Sequence, residues 1–341
     1  MDKLVTVIIP AWNAERWIEG TLRSVLGQSH RNLRVLVIDD GSTDSTPTIL
    51  ERLRREDGRL DYETVQNGGP AKARNHALER LPAGTDYVMF LDADDLLEQD
   101  AIEYALQNAD GAELVIFGFS IRQMDGSLLP YCERDLLLDR EGLGRELGRL
   151  YKSNLLNQVW AKLYAVDLVR PLRFPDYRWG EDRLFLFQAL ERAEGIRVLP
   201  ESKHRYVMHE GESLITRYYD RKFRVCCEID GRMEELCRSL GVTDQADFRY
   251  MFAKSVFSCL TNLYARSCRL TKAEKRSVAA QILQDERVRR RCRDAAGGLP
   301  TRVLCAVLQS GNVTLTLLCF RLVAWCGEHL PGLFTRIKHR K

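Results

Sequence analysis

Four short motifs carry the chemistry available to this chain: VIIPAWN (7–13), VIDDGSTD (37–44), FLDADD (90–95) and WGEDRLF (179–185). The first three follow or end apolar runs that read as buried parallel strands. Carboxylates at the carboxyl ends of such strands point into the crevice where open α/β sheets bind ligands. Several acids in one cleft repel each other unless a cation or a charged reaction partner is present. The pattern therefore points to metal-assisted chemistry on a phosphorylated substrate.

Asp92-Ala93-Asp94 is a D-x-D at a strand end, a clamp of hard oxygen ligands suited to Mg²⁺ or Mn²⁺. Asp94 and Asp92 are the ligand candidates, with Asp94 first. Asp39 and Asp40 form a second acidic site. One of them can accept from a nucleobase N–H or a ribose hydroxyl, and the other can cap the turn at Gly41, Ser42 and Thr43. Asp40 is expected on the nucleotide. Glu181 and Asp182 precede a helix at a glycine turn. A carboxylate there can act as general base on a hydroxyl nucleophile, or serve as a helix N-cap or first-turn acid. The residues alone leave both roles open.

The elements that must position these groups alternate. Residues 4–10 read as the first strand and 33–38 as the second, apolar on nearly every residue and so buried on both faces. Residues 62–65 make a short third strand, 87–91 a fourth, and 114–121 a later one. Between them, Asn13 can cap a helix running to about Gln28. Asp44 or Ser45 caps the next, with Pro47 in its first turn. The turn Asn67-Gly68-Gly69-Pro70 opens a third helix carrying Lys72 and Arg74 in its first turn. Cations there oppose the helix dipole, which a nearby diphosphate would offset; a solvated charged face reads the same way. Strands alternating with helices predict a mostly parallel sheet covered by helices. Residues 155–163 read as helical, 196–199 and 205–208 as late strands, and everything after Ile215 as mainly helical.

The 341 residues are 45% hydrophobic and 29% charged, as in ordinary globular proteins. From Arg287 to Lys341, eleven Lys and Arg face two acids, a local charge of +9 that leaves −6 on the rest. An acidic body with a basic tail suggests that the tail meets an anionic partner, such as the inner leaflet of a membrane. No nucleic-acid module is recognisable. The ten cysteines form no CxxC pair or regular framework, which fits reduced thiols in the cytoplasm. The N-terminus opens directly into a strand, so no signal peptide is expected. Residues 303–326 are apolar but interrupted by Gln309, Ser310, Gly311, Asn312 and Arg321. They read as a buried helix pair, an interfacial amphipathic segment or a membrane span.

In order and spacing these motifs resemble the family 2 glycosyltransferases over residues 4 to about 215. The resemblance implies an α/β GT-A fold, a mostly parallel, Rossmann-like sheet flanked by helices, in residues 1–215. A mainly helical C-terminal region with a basic tail would fill 216–341. It implies an inverting enzyme that moves a sugar from a nucleoside-diphosphate donor, most often a UDP-sugar, to a hydroxyl of a glycan or lipid-linked acceptor. Pro10, Ala11, Trp12 and Asn13 would line the nucleoside pocket. Asp40, with Asp39, would meet the base, and Lys72 and Arg74 would lie near the nucleotide. Asp92 and Asp94 would hold Mn²⁺ or Mg²⁺ on the diphosphate. Asp182, next to Glu181, would be the catalytic base. His209 is a candidate metal or phosphate contact. Asn75 would be structural. Trp160 and Lys162 fall where relatives carry acceptor-side elements, and Arg178 and Trp179 shape an acceptor pocket or pack the turn. The C-terminal third would complete the acceptor site, form a homodimer face or dock on a membrane. A catalytically silent sugar-nucleotide-binding protein of the same fold is the alternative. A nucleotidyltransferase or a dehydrogenase would need a glycine-rich loop after the first strand, where Pro10-Ala11-Trp12-Asn13 stands.

Overall fold

The computed structural model describes residues 3–122, 126–208, 217–293 and 297–329. The first part of the chain runs β1 (Val5–Ala11), α1 (Ile18–Leu26), β2 (Leu33–Asp39), α2 (Thr46–Glu56), β3 (Leu60–Thr64), α3 (Pro70–Glu79) and β4 (Tyr87–Phe90). β1 pairs in parallel with β2 and β4, and β2 with β3. Val7, Ile8, Ile9, Val37 and Ile38 are fully buried there. Each such side chain contributes about 1.5–3 kcal/mol of transfer free energy. That anchors the strand ends from which the acidic motifs emerge.

The chain continues through β5 (Leu96–Leu97), α4 (Ala101–Gln107), β6 (Leu114–Arg122), β7 (Leu128–Tyr131), β8 (Leu136–Leu138), α5 (Arg140–Lys152), β9 (Lys162–Ala165), α6 (Val166–Val169), α7 (Glu181–Arg192) and β10 (Ile196–Val207). The strand order is β3-β2-β1-β4-β9-β6-β10-β5, with β7 added to β6 and β8 to β10. β9 runs antiparallel to both β4 and β6, whereas β10 is parallel to β6. The sheet is therefore mixed. A parallel half, β3-β2-β1-β4, is joined to β6 and β10 through one inverted strand.

Three local expectations change. Asn13 caps no helix: it takes a left-handed φ of 49°, and α1 starts only at Ile18. Its side chain is used instead across the motif, accepting from the Thr43 N–H at 2.8 Å. Residues 155–163 are not a helix. Leu155, Leu156 and Val159 are buried and mimic a helical stripe, but Lys162 pairs with Ile116 as the chain enters the slot between β4 and β6. Tertiary pairing overrides local propensity there. The two late strands are one strand, β10, with register shifts between Val198 and His204.

The chain divides into two compact units, residues 1–209 and 210–341. The second is built from α8 (Lys222–Ser239), α9 (Ala246–Asn262), α10 (Lys272–Gln284), α11 (Glu286–Arg293), α12 (Leu299–Gln309) and α13 (Val313–His329). Val225, Ile229, Met233, Leu236, Phe252 and Val256 form its core. Residues 303–326 fall into α12 and α13, broken at Gly311 in a left-handed conformation. No helix among the described residues is long and apolar enough to cross a membrane. All ten cysteines are free thiols, five of them buried.

Candidate active site

The tips of β1 and β2 lock together before any ligand is considered. The Asn13 N–H donates to Ser42 Oγ at 2.9 Å, and the Asp40 N–H donates to Ala11 O at 2.7 Å. Trp12, between them, is 54% exposed, an indole held out at the end of a strand. Pro10 and Ala11 close β1 beneath it.

The Asp39–Asp40 pair divides its work, with Asp39 on the turn. Asp39 Oδ1 accepts from the Ser42 N–H at 3.1 Å, capping the turn. Its other oxygen is buried without a hydrogen-bond partner. Asp40 spends both oxygens on backbone, accepting from the Gly68 and Gly69 N–H groups at 2.7 Å each. Asp40 thereby fixes the glycine turn before α3. Gly41, directly after the pair, suits this turn as glycine: its φ is +70°, and a Cβ there would lie 3.1 Å from the Asn67 nitrogen.

Arg74 answers the question raised by cations in the first turn of α3. It is 3% exposed, and the anions around it belong to the chain. Nη2 donates to Asp92 Oδ1 at 2.7 Å, and Nη1 to Asp182 Oδ1 at 2.8 Å and Glu181 Oε1 at 3.4 Å. The guanidinium also lies over the Phe174 ring, 5.4 Å from its centre. Asn75 exchanges two hydrogen bonds with the Phe174 backbone, so its role in the fold is structural. Lys72 points elsewhere and meets Asp176 at 3.3 Å, both side chains exposed.

Three motifs distant in sequence thus meet on one guanidinium. Glu181 and Asp182 occupy the first two positions of α7, after Gly180 in a left-handed conformation, where acids also favour the helix dipole. Burial, with Asp182 alongside, pushes the Glu181 carboxyl up to about 7. Burial also raises Asp182, against the pull of Arg74. The Asp182 side chain keeps 19% exposure and Asp92 32%. The cluster is therefore open at these two acids. Three carboxylates on one cation leave it net negative when all are ionised, which favours a second cation or a proton.

The donor set by itself falls short of a complete metal site. Among the described residues no group of three or more His, Cys, Asp or Glu is arranged to hold a metal alone. Asp92 and Asp94 supply two carboxylates, the number with which Mg²⁺ sites commonly start before substrate phosphates complete them. His209 lies outside the described residues.

The sequence did not single out Asp95 and His204. Asp95, fully buried, accepts from the Val207 N–H at 3.1 Å and lies 2.8 Å from His204 Nε2. Burial raises Asp95 well above the usual carboxylate range and lowers His204 to about 3. His204 stacks on Trp160 at 4.2 Å. A third acid in one motif, Asp95 directly after Asp94, was the available signal. Trp179 lies under the Arg183 guanidinium at 4.8 Å and packs its turn.

Comparison with known proteins places this architecture. The sequence pattern described as Glycosyl transferase family 2 matches residues 6–162. An uncharacterised glycosyltransferase of Haemophilus influenzae is 40% identical over 194 residues, 56% of this chain and 73% of that protein. Glycosyltransferase GlyA of Streptococcus pneumoniae is 28% identical over 232 residues, 65% of this chain. The chain spans 33% of GlyA's length and 64% of that of Bacillus subtilis EpsJ. Among solved structures, Staphylococcus aureus TarS 1–349 in complex with UDP-GlcNAc superposes with a TM-score of 0.66 at 21% identity. The match covers 92% of this chain and 89% of TarS 1–349. A Pyrobaculum calidifontis mannosyltransferase in complex with GDP-Man and Mn²⁺ superposes at 0.51 and 17% identity, covering 92% and 86%. The fold is GT-A, and the chain belongs to glycosyltransferase family 2.

Proposed function

We propose that this protein moves a sugar from a UDP-sugar to a hydroxyl of a glycan or lipid-linked acceptor, in a single metal-assisted displacement that inverts the anomeric configuration. The observation that carries the reading is the convergence of Asp92, Glu181 and Asp182 on Arg74. It puts a partly exposed carboxylate of raised proton affinity beside the D-x-D. Asp182 takes the acceptor's hydroxyl proton as that oxygen attacks the anomeric carbon. Glu181, one residue away, disfavours a second charge and so helps hold the proton in the site. Arg74 orients Asp182 and Asp92 together. A divalent cation, Mn²⁺ or Mg²⁺, held by Asp92 and Asp94 would neutralise the leaving diphosphate.

Trp12, Pro10, Ala11 and Asn13 take the nucleoside, and Lys72 the phosphates. Within the acidic pair, Asp40 meets the base, its carboxylate fixed by the Gly68 and Gly69 N–H groups, while the fully buried Asp39 caps the turn. The UDP-GlcNAc and UDP complexes of TarS support a uridine donor. The basic C-terminus contacts an anionic inner leaflet. That part of the reading is supported by α13, whose Leu315, Leu318, Leu322 and Trp325 are exposed along one side while Thr316 and Phe320 are buried. Cosedimentation with phosphatidylglycerol vesicles tests it, and loss of pelleting in Leu318→Glu/Leu322→Glu is the expected result.

The primary test is a panel of UDP-, GDP- and TDP-sugars with Mn²⁺, Mg²⁺ or EDTA, reading released nucleotide. Release from a UDP-sugar alone, abolished by EDTA, is expected. Metal-independent release would remove the D-x-D role. NMR of the product's anomeric proton checks inversion.

A further inference from the structure

Lys162 is buried to 0% exposure at the start of β9, and it pairs with no carboxylate among the described residues. Its ammonium donates instead to two backbone carbonyls, Gln158 O at 2.8 Å and Trp160 O at 3.2 Å. A desolvated cation is expensive in a protein interior, several kcal/mol by usual measures. A position that merely filled space would be better served by Met or Leu.

The carbonyls it holds belong to residues 158–161, and this short segment touches both halves of the site. Its backbone is forced: Ala161 has a φ of 57°, unusual for any residue but glycine, and its carbonyl accepts from the Phe117 N–H of β6. The Val159 carbonyl accepts from the Tyr164 hydroxyl at 2.9 Å. The Val159 N–H faces the Asp182 carboxylate and favours its ionised form. Trp160 stacks on His204, which is hydrogen-bonded to Asp95, the residue after Asp94. One turn thus joins the α7 acid to the far end of the acidic strand motif.

We propose that Lys162 is a positioning residue for glycosyl transfer: its ammonium holds the 158–161 turn in place, and the turn holds the Asp182 carboxylate in the orientation that takes the acceptor's proton. The inference rests on the reading of Asp182 as the base. Burial pushes the Lys162 ammonium down to about 7 while Asp182 pulls it back up, so the two groups sense each other's charge. The other charged and titratable groups around them are Arg74 from α3, Asp92 after β4, Glu181 on α7, Tyr164 on β9 and His204 on β10.

The test compares Lys162→Met, Lys162→Gln, Tyr164→Phe and Asp182→Asn in the full-length protein. Turnover is read as nucleotide released from the donor that the wild-type protein uses, and backbone amide exchange is followed over 155–165. Lys162→Met is expected to lower kcat at least tenfold with donor KM unchanged, and to speed amide exchange in the segment. Lys162→Gln, which can still donate to one carbonyl, recovers part of the kcat. Tyr164→Phe, which loosens the same turn from its other side, lowers kcat by a smaller factor at constant KM. Wild-type kcat in Lys162→Met, or kcat and KM falling together, overturns the proposal. If Lys162→Met fails to fold, wild-type kcat and exchange in Tyr164→Phe overturn it. Full activity of Asp182→Asn removes the base itself. An inactive Asp182→Asn beside an active Lys162→Met removes only the positioning role.

Discussion

Each unit contains one buried arginine that gathers carboxylates, and the two clusters differ in a telling way. In the helical unit, Arg291 is 4% exposed and pairs with Asp230 at 2.8 Å and Glu234 at 2.5 Å. Both acids stand one turn apart on α8, and Arg290 adds a second cation at 3.1 Å from Glu234. In the α/β unit, Arg74 pairs with Asp92, Glu181 and Asp182, drawn from two separate stretches of chain. Each guanidinium sits against an aromatic ring, Phe252 or Phe174. The first cluster balances its charge within a helical pair. The second is left with excess negative charge at a strand end that opens to solvent. A charge-balanced network is architecture; an unbalanced one favours a proton or a cationic partner.

The largest expected separation between the two is catalytic. Asp182→Asn should lower transfer by about 10²–10⁴-fold, the usual range for a general base, with donor affinity by calorimetry nearly unchanged. Asp230→Asn should leave transfer intact. Equal loss of binding and turnover in Asp182→Asn would make Asp182 structural, like its counterpart.

The next effect is common to both. Removing one partner of a buried ionic network costs about 3–5 kcal/mol, so Arg74→Met and Arg291→Met should each destabilise their own unit by that order. Denaturant unfolding followed by amide exchange assigns the loss to a unit. Only Arg74→Met should also abolish turnover under conditions where the protein remains folded.

A pH dependence sharpens the contrast further. Glu181 is raised to about 7 and Asp230 to about 6, both chiefly by burial. A carboxyl whose folded value lies above its unfolded value binds extra protons in the folded state. Its stabilising contribution is full below the unfolded value and is lost as pH rises through the folded one. Stability of the α/β unit should therefore fall between pH 4.5 and about 7, and that of the helical unit over a window ending lower. Glu181→Gln and Asp230→Asn should each flatten only their own slope in midpoints measured across pH 4–8.

The smallest effect belongs to the surface. Lys72 and Asp176 form an exposed pair, of the class that adds little to folding. Lys72→Gln should leave unfolding midpoints unchanged. If Lys72 meets phosphate, it should weaken donor binding by roughly fivefold, equivalent to about 1 kcal/mol. No change in donor affinity would confine Lys72 to the solvated face.

How much of this was legible depends on how local the cause is. The order of β1, α1, β2, α2, β3, α3 and β4 follows from apolar runs and breakers such as Asn67-Gly68-Gly69-Pro70, and so does the exit of Asp39, Asp92 and Asp94 at strand ends. Residues 155–163, which lead into β9, read as helix, because Leu155, Leu156 and Val159 are spaced for one and nothing local announces the slot between β4 and β6. Arg74 was legible as an oddity, a cation at the wrong end of a helix, but not its partners, which lie 18 to 108 residues away. Asp39 and Asp40 look equivalent as adjacent acids in the sequence. Which one meets Gly68 and Gly69 is decided by where the loop returns.

The inverted strand has a consequence for how the protein is made. β4 is complete at Phe90, but its outer neighbour begins only at Lys162. During synthesis, β3-β2-β1-β4 can form early and then wait, with one edge bare, while more than seventy further residues emerge. A bare strand edge is a template for pairing with another chain. β9, four residues long, is the stopper that ends that exposure. A fragment ending before Ala165 should fold its parallel half and then associate through it, so any division of this chain must fall after β9, not at residue 162 where the family match ends.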